Sequence, residues 1–255
     1  MADRALRWYT RESFLYRLLN KALRMQDIDL LFLFRFFIRD IHEQLQKLQC
    51  STSIRVYQGQ VITNDELQTL KVSIAQFISM TSFLSTSLDR RLASSFLTSS
   101  TSSTELQHIL FEIDLDSTLP GIKPFVNITS NSFLTDEQEV LIMLGSIFRL
   151  VNIDYQDRVW IIQMTLCSDN DNSLKPIYDY MKNEYDASDG GSSVFSFSTL
   201  LFKMGQYDKA EKYYKHLLNE LPCDHDHLGP CYHNLGMNPI FLQSVAMRPA
   251  QLLKI

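Results

Sequence analysis

The chain lacks any apolar run long enough to cross a bilayer. Its most hydrophobic stretch, Ile28 to Ile38, is interrupted by Arg35 and falls well short of the roughly 20 residues that a spanning helix needs. It reads as a buried helix. The first residues, Met1-Ala2-Asp3-Arg4-Ala5-Leu6-Arg7-Trp8, are charged and have no apolar signal core, which argues against export and for a cytoplasmic protein. Cysteine is scarce. Cys50, Cys167, Cys223 and Cys231 are scattered through 255 residues, which suits a reducing compartment and excludes a disulfide framework. No block of Lys and Arg occurs anywhere and the formal net charge is -5. A nucleic acid or an anionic membrane is therefore not the expected partner, and a protein or a small molecule is.

What the chain has in quantity is apolar side chain, 45% of all residues. That is enough for a sizeable core in one large domain, or in a domain of typical size with an appendage. From Trp8 to about Gln49 apolar residues recur at spacings of three and four, as in Phe14, Leu15, Leu18, Leu19 and Leu23 and again through Leu30, Leu33, Phe34, Phe37 and Ile41. This predicts two or three amphipathic helices. The character then changes. A strand is predicted through Ile54, Val56 and Tyr57 to Gly59, followed by a short helix from Asn64, its expected cap, to about Leu70. Phe77 to Ser87 alternates as a second strand ending in hydroxyls, and Asp89 to Leu97 reads as a brief helix. After the Ser/Thr-only loop Thr98 to Thr104, strands are predicted at Gln107 to Leu115, Val140 to Met143, Ile147 to Val151 and Arg158 to Leu166. Several short strands behind a helical opening make an α+β domain.

The stretch Thr135-Asp136-Glu137-Gln138-Glu139-Val140-Leu141-Ile142-Met143-Leu144 sets two carboxylates directly before a buried strand. Residues two apart on a strand share a face, so Glu137 and Glu139 are expected to point the same way. Two acids so placed can do different work, one stabilising a developing cation and the other orienting a nucleophile. Taken alone, the stretch reads first as two solvated acids beside a turn, the commonest state of Glu.

Three pieces in order carry a resemblance: Val56-Tyr57-Gln58-Gly59-Gln60, Ser85-Thr86-Ser87 and Glu137-Gln138-Glu139. From about Trp8 to Leu166 the chain resembles the arginine-specific mono-ADP-ribosyltransferases, whose signature is an aromatic-Arg-Gly strand, a Ser-Thr-Ser strand and a Glu-x-Glu loop. The resemblance implies a two-sheet catalytic core preceded by helices. It implies transfer of ADP-ribose from NAD or NADP to a protein arginine, with nicotinamide leaving a ribose that becomes oxocarbenium-like and with no metal. Glu139 then matches the acid that stabilises the ribose cation. Glu137 matches the acid that grips the acceptor guanidinium, and Ser85 the hydroxyl that holds Glu139 in place. Thr86 and Ser87 shape that strand. Tyr57 and Gly59 line the nicotinamide position, with glycine allowing close approach of the backbone. Phe83 and Phe96 are candidates to flank the nicotinamide ring, and Arg90 and Arg91 candidates for phosphate contact.

One position departs from the pattern. Gln58 stands where the family carries an arginine on the dinucleotide's phosphate side. A charge-assisted bond contributes about 1.5 to 3 kcal/mol, so its loss predicts roughly ten- to hundredfold weaker NAD binding. Arg55 sits three residues away on the opposite strand face and is no replacement. The alternatives left by this change are a non-catalytic binding module with a degenerate NAD site, or an NAD glycohydrolase with water as the acceptor.

Beyond the catalytic domain, assigned to residues 1–168, residues 169–195 read as a linker with a short helix near Ile177 to Met181 and a Gly/Ser/Asp run from Asp186 to Ser193. Residues 196–255 are helical again. Gly205-Gln206-Tyr207, Ala210 and Tyr214, followed by Pro222, resemble one tetratricopeptide repeat. Tyr232 to Gly236 resembles the start of a second, halted at Asn238-Pro239. One and a half repeats form a truncated array, short of the three or so a solenoid needs, and a structural remnant with a protein contact is expected of it. Cys223, His225, His227, Cys231 and His233 crowd the inter-repeat loop at spacings that match no usual zinc pairing, and no metal is expected.

Overall fold

In the computed structural model the residues described are 5–11, 13–98, 105–129, 138–171, 174–176, 179, 194–222 and 225–237. Glu137, Cys223, Asn238 and Pro239 lie outside them, as do the Gly/Ser/Asp run and nearly all of the Ser/Thr loop and of the helix expected near 177–181. The chain divides into two units, Met1–Lys175 and Pro176–Ile255.

The first unit opens with three helices, α1 (Ala5–Thr10), α2 (Phe14–Met25) and α3 (Ile28–Lys47). Ser13 caps α2 by accepting from the Tyr16 N–H, and Asp27 caps α3 through Leu30. Between them Gln26 takes a left-handed backbone at φ 51, and the N–H groups of Gln26 and Asp27 reach back to Leu23 and Ala22. This closes α2 as a tight C-terminal turn and folds α3 back onto it. The inner sides of the three helices bury Leu6, Tyr9, Leu19, Leu23, Ile41 and Leu45 against Phe83, Val126, Leu141 and Met143 of the sheet.

The strands are β1 (Ile54–Thr63), β2 (Phe77–Ser79), β3 (Leu84–Ser87), β4 (Leu106–Leu115), β5 (Phe125–Asn127), β6 (Glu139–Ile142), β7 (Ile147–Gln156) and β8 (Val159–Leu166). Two short helices, α4 (Asn64–Val72) and α5 (Arg90–Thr98), lie between them in sequence. The cap of α4 is Thr63 rather than the expected Asn64. Its hydroxyl accepts from the Glu66 N–H while Glu66 accepts from the Thr63 N–H, a reciprocal pairing that satisfies two otherwise orphaned donors. Phe77 to Ser87 is two strands on different neighbours, β2 on β7 and β3 on β1 and β6.

The two-sheet core expected from the resemblance needs correcting. The eight strands form one continuous sheet in the order β2-β7-β8-β4-β1-β3-β6-β5, antiparallel throughout except for the parallel pair β4 and β8. The main core nevertheless joins Phe125, Val140 and Ile142 from one end of that order to Phe148, Met164 and Leu166 near the other. Val56, Leu84, Ile109, Phe111 and Ile113 of the strands between them make that core continuous across the sheet. The result is a mixed α+β fold. The β4-β1-β3-β6 strip runs through the middle, with α5 packed on β1 through Ala93 and Leu97.

The second unit contains α6 (Val194–Lys203), α7 (Tyr207–Glu220) and α8 (Leu228–Gly236). Gly205, at φ 74, closes α6: its N–H bonds Phe202 and that of Gln206 bonds Leu201. Tyr214 is fully buried, its hydroxyl donating to Thr199 Oγ1 at 3.1 Å and accepting from Asn234 Nδ2 at 2.7 Å. Among the described residues no helix is long and apolar enough to cross a membrane, and Cys50, Cys167 and Cys231 are free.

Candidate active site

The strip of four strands carries the site residues because its register aligns them. Glu112 on β4 faces Tyr57 on β1, Tyr57 faces Ser87 on β3, and Ser87 faces Glu139 on β6. Directly opposed residues share a face, so these four form a row across the sheet. Ser85, two residues from Ser87, lies on the same face and leans diagonally to Glu139. Its hydroxyl donates to Glu139 Oε1 at 2.6 Å. The strand beneath them is fixed from both sides. Thr86, buried, donates to the Val140 carbonyl at 2.8 Å. Ile128 N–H bonds the Glu139 carbonyl at 2.9 Å, and Leu88 N–H bonds that of Gln138 at 3.0 Å. A carboxylate so anchored keeps its geometry without rearrangement of its strand.

Beside this pair lies a cavity of about 190 Å³ lined by Tyr57, Gln58, Gly59, Ser85, Thr86, Ser87, Leu92, Ala93, Phe96 and Glu139. The residues of the first two sequence motifs thus meet at one place, joined by Glu139 of the third. The cavity is smaller than the roughly 300 to 1,000 Å³ typical of small-molecule sites. It accommodates a single ring rather than a whole dinucleotide. Leu92 and Ala93 went unnoticed in the sequence, although the spacing of Ala93 and Leu97 on an amphipathic helix marks the side of α5 that faces the sheet.

Gly59 has a nearer reason for being glycine than a ligand's approach. A Cβ there would stand 2.2 Å from the Ala93 carbonyl oxygen and 3.2 Å from Leu97 Cγ. The bare backbone is what allows α5 to close over β1. Gln58 points to the other side of β1, opposite Phe111. Its Oε1 is buried and has no hydrogen-bond partner within the protein, an acceptor left unmet on that side of the strand.

The cations are arranged otherwise. Arg55 is held by Asp114 through two bonds of 2.6 and 2.8 Å, which raise its already high pKa further and fix it on the face away from Gln58. Arg90 lies outside the cavity lining, its Nε 2.9 Å from Glu112 Oε1 at the end of the row that Tyr57, Ser87 and Glu139 complete. Asp89 accepts the Arg91 N–H at 2.8 Å at the start of α5. Of the two aromatic candidates, Phe96 is exposed and lines the cavity, whereas Phe83 is buried with its ring centroid 4.9 Å from that of Tyr9. Burial raises the Tyr9 phenol well above its ordinary value; the Asn20 hydrogen bond pulls it partly back, and Tyr16 and Glu139 push it up. In the second unit, His227 stacks on Phe195 at 4.4 Å and Cys231 is buried. No group of three metal-ligating side chains converges among the described residues.

No curated protein matches the sequence. Among solved structures the chain is similar to the Vis toxin, an ADP-ribosyltransferase from Vibrio splendidus, at 22% identity over 66% of this chain and 73% of the toxin, with a TM-score of 0.52. It is similar to Vis in complex with agmatine at 21% identity over 66% and 74% of the two chains, with a TM-score of 0.50. Plx2a, an ADP-ribosyltransferase toxin from Paenibacillus larvae, is 17% identical over 66% and 86%, with a TM-score of 0.49. The likeness to Vis is one of fold. The model of the family described as NAD:arginine ADP-ribosyltransferase matches residues 3–173, which take in the whole β4-β1-β3-β6 strip and the cavity beside it, and the chain belongs to that family.

Proposed function

We propose that the chain transfers ADP-ribose from NAD to an arginine guanidinium and releases nicotinamide. The observation that carries the reading is the 2.6 Å bond from Ser85 to Glu139 at the rim of a ring-sized cavity. In the reaction the bond from ribose C1′ to the nicotinamide nitrogen breaks and the ring leaves with the electron pair, so positive charge grows on the ribose. Glu139 supplies a fixed negative charge beside it, a contribution that strengthens as the charge develops. Ser85 acts through Glu139: its hydroxyl donates to Oε1 and holds the carboxylate in place for the ribose. The backbone at Gly59, with Tyr57 and Phe96, receives the nicotinamide ring, and Ser87 and Thr86 complete its wall.

Glu137 is assigned to the acceptor. Its carboxylate would grip a guanidinium through two parallel bonds, and withdrawal of a proton frees a nitrogen lone pair for attack at C1′. Agmatine, the guanidine bound to Vis in its solved complex, is the natural small test acceptor here. Gln58 would meet the dinucleotide with a neutral amide, and Arg90, released from Glu112, would supply charge to the phosphates. The tail is assigned as a tetratricopeptide-like pair serving protein contact. Its support is that Ala210 and Tyr214, which the repeat spacing singles out, are both fully buried.

The competing reading is hydrolysis of NAD with water as acceptor. Glu137→Gln separates the two, because it should abolish transfer to agmatine while leaving nicotinamide release. An equal fall in both rates would remove Glu137 from the acceptor role.

A further inference from the structure

The whole-chain charge of -5 conceals a segment of the opposite sign. Between Ala5 and Gln26 the sequence holds Arg7, Arg11, Arg17, Lys21 and Arg24 against the single acid Glu12. On α2, Phe14, Arg17, Lys21, Arg24 and Met25 are all exposed. At 3.6 residues per turn they fall within about 100° of one another around the helix, so they form one stripe. Phe14 and Met25 stand at its two ends, 78% and 69% exposed and roughly 16 Å apart along the axis, with the three cations between them. Arg17 and Lys21, and Lys21 and Arg24, are like-charged neighbours at spacings of four and three, an arrangement unfavourable in an isolated helix. The opposite side of α2 is spent on the core through Leu19, Ala22 and Leu23, so the stripe lies on the side turned away from it. The neighbouring α1 exposes Arg7 and Trp8 as well, and Arg11 just after it is also exposed.

We propose that this outward stripe of α2 docks the protein on an anionic lipid surface, the cations facing lipid phosphates and Phe14 and Met25 entering the interface. Basic side chains interspersed with single protruding apolar ones suit a soft, negatively charged boundary. This inference is independent of the catalytic assignment. It would hold the α1–α3 layer against the lipid, with its inner side still supporting Phe83 and Leu141 beneath the Ser85–Glu139 pair.

The test is sedimentation of the full chain with vesicles of phosphatidylcholine alone and with 30 mol% phosphatidylserine, a composition chosen to give on the order of the charge of an anionic leaflet. Binding is expected only to the anionic vesicles and should weaken as salt shortens the screening length. Arg17→Gln/Lys21→Gln/Arg24→Gln should lower the partition on the order of a hundredfold, from about 1 kcal/mol per charge, with the thermal unfolding midpoint unchanged. Phe14→Ser/Met25→Ser should lower it at every salt concentration alike. Equal binding to both kinds of vesicle, or binding by the triple variant as strong as by the native chain, would overturn the proposal. Binding to polyglutamate without retention on vesicles would overturn it too, and would assign the stripe to an acidic protein.

Discussion

Removing the Ser85 hydroxyl tests whether this residue works through Glu139 or on its own. The bond is short, 2.6 Å, and its acceptor is a carboxylate, a class that contributes about 1.5 to 3 kcal/mol. Ser85 is exposed and Glu139 half-buried, so water replaces part of what is lost and the lower end applies. About 1.5 kcal/mol corresponds to roughly a tenfold fall in kcat. Glu139→Gln removes the charge itself and should cost about 10²- to 10³-fold, the range for loss of one preorganised electrostatic contact. Nicotinamide release from NAD in the presence of agmatine gives both rates. Because Ser85 only positions Glu139, the double variant should be no slower than Glu139→Gln alone, a coupling of about 1.5 kcal/mol between the two sites. Ser85→Thr, which keeps a hydroxyl, should recover most of the loss. A full tenfold effect of Ser85→Ala in the Glu139→Gln background would refute the reasoning. So would a tenfold rise in KM with kcat untouched, which would make Ser85 a binding residue.

Other consequences are as direct. Gln58→Arg should lower the KM for NAD roughly ten- to hundredfold by adding a charge-assisted bond, as read from initial rates, and an unchanged KM would show that position 58 does not meet the dinucleotide. Gly59→Ala drives a methyl into the Ala93 carbonyl and should destabilise by about 1 to 3 kcal/mol, lowering the unfolding midpoint by several degrees for a unit of this size. Thr63→Ala removes half of the α4 cap and should cost about 1 kcal/mol, measured by denaturant midpoint with catalysis intact.

The sequence made the strand pattern legible wherever alternation or a branched run was long enough. β1, β4, β7 and β8 each extend over eight to ten residues, and the Ser85 and Glu139 motifs sit where expected, at β3 and at the mouth of β6. β5 went unseen because three residues, Phe125–Asn127, are too few to show a period of two. Its existence depends on pairing with β6, a non-local fact. The join between strands that unites the sheet escaped for the same reason: the parallel contact of β4 with β8 links residues some fifty positions apart. Gly59 was legible as a close approach, but the partner was not, since only the packed structure shows the Ala93 carbonyl above it. Gln58 could be read as a lost charge from the motif alone. That its Oε1 is buried without a partner required the surrounding side chains. A chain-wide total of -5 also averages away the basic stripe of α2.

The most direct test of the account is nicotinamide release from NAD by the native chain and by Glu139→Gln, with and without agmatine. The account predicts release by the native chain that agmatine accelerates, ADP-ribosyl-agmatine as product, and a fall of at least a hundredfold in the variant. Release undiminished in Glu139→Gln, or none from the native chain even at millimolar NAD, would contradict it.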